Sequence, residues 1–510
     1  RAAVTEALDR RERIAVRALT VFCLACYLVT SFTVYAQYLG SGYDLGIFDQ
    51  AVRAYAHFKA PITPLKAPNF NILGDHFHPI LALFAPAYWI WDNPGVLLIG
   101  QDLLVAVSIP VVYRFTRRRT GFGFSWTVAA AYGLSWPIQT LIDVQFHEVA
   151  VAVPLLALAI DALDRGDLRR LLLWSAPLLL VREDMGILVA LLGLLVYLRA
   201  PRPAGATSWR ARMVHRPPPA AVVLIVGGIA AYEVVTALII PALSPSHHFS
   251  YWQFDAIGKD LPDALRGILT RPWHAVHVFF TPGVKVRTML YLLAPLAFLP
   301  LCSPYVVIAL PLLAERFFNS RPELWTTHFQ YNALPWLVLV LAFVDGAGRV
   351  GVFRATRTAA VARRVLVAGL VGAEVVLTVV VKTQFRSLVP NTVQLIENRR
   401  EATALSAQRA GELIPDQVCV QATERVAPHL TRRDRVTLPD LPVTGSDFIV
   451  LDLSRPNVGV RATPAAVLAA ARAAKYVTVF TDGTVLVLRS PDYAGPSSEC
   501  APLGRGRERT

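Results

Sequence analysis

Apolar runs of membrane-crossing length alternate along this chain with short charged intervals. A helix needs about 20 mostly apolar residues to cross the hydrocarbon core of a bilayer. The first run, 15–37, follows Arg1, Arg10, Arg11 and Arg13 and contains Arg17 near its start. Others fall near 95–113, 122–138, 149–163, 219–241, 288–301, 304–318, 332–347 and 365–385. The stretch LLLWSAPLLL-VREDMG-ILVALLGLLVYL reads as a hairpin whose arms hold only about 14 apolar residues each, so its charged tip is expected below the membrane surface. Residues 80–91 (ILALFAPAYWIW) are too short to span and are expected to form a re-entrant or interfacial helix. The pattern thus predicts an α-helical polytopic membrane protein with about 11 transmembrane helices.

Past residue 390 the pattern changes. Residues 397–413 read as a helix, RVTL, DFIVLDL, YVTVF and TVLVLRS as short strands, and Asp482-Gly483 as a hairpin turn. Residues 464–474 read as a helix capped by Thr463 with Pro464 in its first turn. The division is then a transmembrane domain over 1–389, a small α/β domain over 390–500 and a disordered tail over 501–510.

Composition agrees with the pattern: 54% of residues are hydrophobic and 17% charged, against about 25% charged in soluble domains. The net charge of +14 follows from arginines concentrated in alternate loops. The positive-inside bias places those loops and the N-terminus in the cytoplasm, and the 41–79 loop and the α/β domain outside it. No nucleic-acid motif accompanies the charge, so nucleic acid is not an expected partner; membrane lipid is. The run 15–37 reads as an anchor, not a cleavable signal peptide. Of five cysteines, Cys23, Cys26 and Cys302 have no zinc-site spacing. Cys419 and Cys500, both in the polar outer part, are expected to form a disulfide.

This topology gathers the unusual polar residues on one side: Asp44, Asp49, Asp75, His76, His78, Asp143, His147, Glu148, Arg182, Glu183, Asp184, Glu315, Arg316, His328 and Tyr331. Any one of them alone reads as a solvated loop residue; as a set at membrane depth they point to a cavity. Asp44, just past the first run, suits a general base acting on a hydroxyl, or else a helix cap. Asp49 reads as structural. Arg182 and Arg316 each stand beside an acid, and their guanidinium forks suit either an ion pair or a phosphate. His76, His78, His147 and Glu148 have the donor types for a divalent metal ion, or hydrogen-bond a substrate instead.

The segments YDLGIFDQ, LGDHFHP, DVQFHE, VREDMG and AERFFNS resemble motifs of an uncharacterised bacterial family of predicted polytopic membrane proteins. That family resembles the GT-C superfamily of glycosyltransferases. The resemblance covers about residues 40–335. It implies a GT-C-like fold in the bacterial cytoplasmic membrane and a sugar taken from a polyprenyl-phosphate donor, with inversion, to a cell-envelope acceptor. It also implies an acid in the first outer loop as base, the position Asp44 holds. Tyr43-Asp44 stands where many GT-C enzymes carry paired acids. Some members use a metal and others do not. The remaining candidates (Asp75, Asp143, Glu183, Asp184, Glu315, His328 and Tyr331) would line the sugar or acceptor site. Two other classes fit the same pattern: a transporter or flippase using the buried charges as a path, and a non-catalytic cell-envelope scaffold.

Overall fold

The computed structural model describes residues 9–200, 216–441, 443, 445–454 and 462–496 of the protein. Most of the basic segment 199–217, the tail 501–510 and Cys500 therefore lie outside the described residues. Among the described residues, five helices are long and apolar enough to cross a membrane: Arg10–Ala36, Gly95–Arg117, Pro219–Leu243, Gln330–Arg349 and Arg357–Val381. Of the other expected spans, 149–163 is the continuous helix Val149–Arg165, and others are shortened or broken by their own sequence. Phe122–Gly133 stops at Leu134, and Ser135 starts a new helix, Trp136–Asp143, with Pro137 in its first turn. The two runs near 288–318 become Gly283–Leu293 and Val306–Phe318, separated by two 3-10 turns and by Ala297 and Phe298 at positive φ. The last of these spans begins eight residues before its apolar run, because Thr356 caps Ala359 and Arg357 and Arg364 lie exposed.

The hairpin comprises Leu168–Ser175, a 3-10 turn Pro177–Leu180, and Met185–Arg199. Its second arm packs against Pro219–Leu243 at Gly186 and Gly228, where a Cβ on either glycine would run into the other's backbone. Such close approach is how helices associate in lipid, where apolar side chains gain nothing by leaving the solvent. Residues 79–90 form a 3-10 turn, Pro79–Phe84, continuing into Ala85–Ile90. Leu83, Trp89 and Ile90 are exposed on it while Leu81 and Tyr88 are buried, so the segment has two faces.

The polar C-terminal part holds a five-stranded sheet: β1 (Cys419–Ala422), β2 (Arg435–Thr437), β3 (Phe448–Asp452), β4 (Val477–Asp482) and β5 (Val485–Arg489). The order is β2-β1-β3-β5-β4, with β1 parallel to β2 and β3, and β5 antiparallel to β3 and β4. Gly483, at φ +59°, makes the tight β4–β5 turn. β1 has no counterpart among the expected strands: CVQA is four residues long and carries no alternation. The helix Pro464–Ala473 is capped by Thr463, whose hydroxyl accepts from the Ala466 amide at 3.2 Å.

One hydrophobic core joins this sheet to the first loop. Leu45, Ile47, Phe48, Ala51 and Val52 belong to the same buried cluster as Val420, Val436, Val450 and Val487. Polar contacts reinforce the joint: the Gln50 amide donates to the Val436 carbonyl at 3.0 Å, and His429 stacks on the rings of Tyr35 and Tyr38. The first loop is thereby clamped between membrane helices and sheet, and its polar residues hold fixed positions.

Candidate active site

Asp44 lies in a wide π-type turn, Gly42–Gly46, directly before the helix Ile47–Ala56. Ser41 opens the turn. Its hydroxyl accepts from the Tyr43 amide at 3.0 Å and donates to Glu424 of the C-terminal part. The Asp44 carboxylate meets His147 Nε2 at 3.0 Å and remains 27% exposed. His147 is buried, and its backbone amide donates to Gln101 Oε1 at 2.9 Å. Gln101, itself fully buried in Gly95–Arg117, also donates to the carbonyls of Leu141 and Gln145. One neutral amide therefore fixes the DVQFHE turn that presents His147. Burial opposes protonation of His147, but the Asp44 carboxylate outweighs it and raises the imidazole pKa. His147 Nδ1 is buried without a partner among the described residues.

The hairpin tip supplies the second group. Arg182 is buried and grips Asp184 through two bonds, 2.5 and 2.7 Å. It reaches Glu315 at 3.3 Å and Glu148 at 3.8 Å. Beside it, Glu183 accepts from the Phe77 amide and pairs with His76 Nδ1 at 2.7 Å. His76 stacks on Tyr251, whose hydroxyl donates to Asp75; Lys66 holds the other Asp75 oxygen at 2.7 Å. Burial alone would discharge His76, yet Glu183 pushes it up to about 9. Burial likewise opposes ionisation of Asp75, while His76 and Lys66 hold its pKa below the usual carboxylate range. For His78, burial outweighs the nearby Glu148 carboxylate and lowers the pKa.

Beside Arg182 an open cleft is lined by Val149, Arg182, Leu312, Glu315, Arg316, Gln330, Tyr331, Leu334 and Pro335. Tyr331 stands close enough to Asp44, Arg182 and Glu148 for each charge to act on its hydroxyl.

Several expected residues sit elsewhere or do other work. Arg316 is at the cleft wall, but its guanidinium donates to the Leu324, Thr326 and Tyr331 carbonyls and to Asn332 Oδ1. It folds the 319–332 turn. Asp143 points to the helix Arg357–Val381 and its continuation, accepting from the Gln384 amide at 2.9 Å. His328 is exposed. Asp49 is fully buried between Arg53 and Tyr88. The metal reading does not fit: among the described residues no three His, Cys, Asp or Glu side chains are placed to hold an ion. The reason is pairing, since His76 is committed to Glu183 and His147 to Asp44. Cys419 starts β1, and its expected partner Cys500 lies outside the described residues. Gln101, Gln330, Lys66 and Tyr251 were not expected here; neutral amides and single loop residues carry no periodic or charge signal.

A family described as "Predicted membrane protein (DUF2079)" matches residues 34–458. The chain belongs to that family. It is a multi-pass membrane protein. Two solved structures are similar to it, both of ArnT from Cupriavidus metallidurans. The one bound to undecaprenyl phosphate has 14% identity and a TM-score of 0.48, covering 94% of this chain and 99% of that one. The apo form has 14% identity and a TM-score of 0.46, covering 93% and 97%. No curated protein matches the chain.

Proposed function

We propose that the protein is a GT-C-type membrane glycosyltransferase that moves a sugar from a polyprenyl-phosphate donor to a hydroxyl of a cell-envelope acceptor. The observation that carries this reading is the pairing of a half-open carboxylate, Asp44, with a buried His147–Gln101 support, beside a cleft that contains Arg182. In this reading the acceptor O–H gives its proton to Asp44. Its oxygen attacks the anomeric carbon from the face opposite the phosphate, and the bond from that carbon to the phosphate oxygen breaks. The electron pair stays on the leaving polyprenyl phosphate, which gains one negative charge, and Arg182 balances it. His147 holds the carboxylate's orientation. Phosphate is already a competent leaving group, so positioning and charge balance are the protein's main contributions. The arginine excess at the opposite helix ends supports a cytoplasmic N-terminus and an outward-facing site.

The transport reading keeps one observation: Asp102 and Glu374 are buried acids inside spans. One oxygen of each bonds locally, to Ser31 and to the Trp136 amide, and the other is buried without a partner among the described residues. The test is transfer of labelled sugar from undecaprenyl-phosphate sugars by purified protein in nanodiscs. Transfer by the wild type, reduced at least about 100-fold in Asp44→Asn, is expected for a general base. Equal rates in the two proteins would remove Asp44 from the chemistry. Lipid translocation in vesicles without any transfer would favour the transporter.

A further inference from the structure

Arg182 carries one positive charge against three carboxylates, and it does not hold them equally. Asp184 is gripped at 2.5 and 2.7 Å and its side chain is 17% exposed. Glu148 stands at 3.8 Å and is 7% exposed. Glu315 is held through one nitrogen at 3.3 and 3.5 Å and is 37% exposed. Of the three it combines a loose contact with the most open position, and it shares the cleft wall with Arg182. A buried guanidinium facing three acids leaves an excess of negative charge, so an arriving anion must displace one of them. The same wall holds Gln330, 8% exposed, whose side-chain oxygen has no hydrogen-bond partner among the described residues. A buried amide oxygen left unpaired is unfavourable unless a ligand supplies the donor.

We infer that Glu315 occupies the seat of the ligand's phosphate on Arg182 and vacates it on binding, while Gln330 receives a hydroxyl of the same ligand. The cleft thus takes a phosphate ester whose hydroxyl-bearing group sits next to the phosphorus. A bare lipid phosphate leaves the Gln330 side-chain oxygen unpaired. This rests on the transferase reading for the lipid, but not on catalysis.

The test measures dissociation constants in nanodiscs for two probes, undecaprenyl phosphate and undecaprenyl phosphate glucose. Glu315→Gln keeps the side chain's size and removes the competing charge. It is expected to bind both probes about tenfold more tightly than wild type. Gln330→Leu is expected to bind the bare phosphate as wild type does and to lose at least about fivefold on the glucose-bearing probe. Monodisperse elution and an unchanged melting temperature confirm that each variant is folded. Unchanged or weaker binding in Glu315→Gln overturns the exchange, and equal loss on both probes in Gln330→Leu overturns the hydroxyl contact. Wild-type protein that binds neither probe overturns both. The expected binding pattern in a protein that transfers no sugar would instead sink the transferase reading and leave the cleft assignment standing.

Discussion

The two ends of the helical bundle are both charged, and they are charged differently. At the far end, Glu12 takes three bonds from Arg117, Arg118 bridges Asp161 and Asp164, and Arg119 pairs with Asp164 and Asp345. Arg199 and Asp164 share the Tyr305 hydroxyl. None of these side chains has an unpartnered buried atom. At the site end the same helices begin or finish among Asp44, Glu148, Glu183, Asp184 and Glu315, with Arg182 the guanidinium at their centre. There His78 Nδ1, His147 Nδ1 and Gln330 Oε1 are left without partners among the described residues. The comparison separates charge that closes a structure from charge that waits for something. A saturated cluster fixes helix ends; an unsaturated one has capacity for a ligand.

Arginine-to-lysine changes break the comparison most sharply, because lysine keeps the charge and loses the planar fork. Arg182→Lys is expected to lower sugar transfer by about 100-fold with little change in melting temperature, since the fork is needed for phosphate. Arg119→Lys is expected to do the reverse, destabilising the fold by about 1–2 kcal/mol in thermal unfolding while transfer per folded molecule stays within about twofold. The reverse assignment of effects would mean that the far end is the working one.

A smaller effect tests the support behind Asp44. His147→Gln keeps a hydrogen-bond donor near the carboxylate but removes the titratable imidazole. About a tenfold loss of transfer is expected, together with a changed pH–rate profile. A pure loss of stability with an unchanged profile would make His147 structural only.

The smallest effect is in pH. The His76 pKa is raised to about 9 by Glu183, above an unfolded value of about 6.5. The native state therefore binds the extra proton between those values. The contribution is complete below about pH 6.5 and is lost as pH rises through about 9. Melting temperature should fall by a few degrees across that window, and the His76→Gln protein should lose this part of the slope. An identical slope in both proteins would assign the pH dependence to another group.

The sequence makes the membrane helices legible because hydropathy over many residues sums a strong signal. The short hairpin arms and the 80–91 segment are equally legible, since length alone rules out an ordinary span. The groups that close the site are harder to read. Asp143 and His147 lie in the same turn, and only packing sends one toward Gln384 and the other toward Asp44. Arg316 and Arg182 look alike in sequence, each beside an acid. The difference is that residues 319–332 fold back over Arg316 and fill its donors with carbonyls. Gln101 and Gln330 carry no charge and no pattern, and their importance comes from what they face. The docking of β1–β5 onto the first loop depends on contacts between residues nearly four hundred apart, such as Gln50 with Val436.

The most direct measurement is the position of the phosphate in a cryo-electron microscopy structure of the protein with undecaprenyl phosphate in nanodiscs. By net charge alone, an anion would choose the arginine-rich end. The account predicts phosphorus density within about 4 Å of the Arg182 guanidinium, Glu315 turned away from it, and Asp44 facing the same cleft. Phosphate density among Arg117, Arg118 and Arg119, or a passage open to both ends, would contradict it.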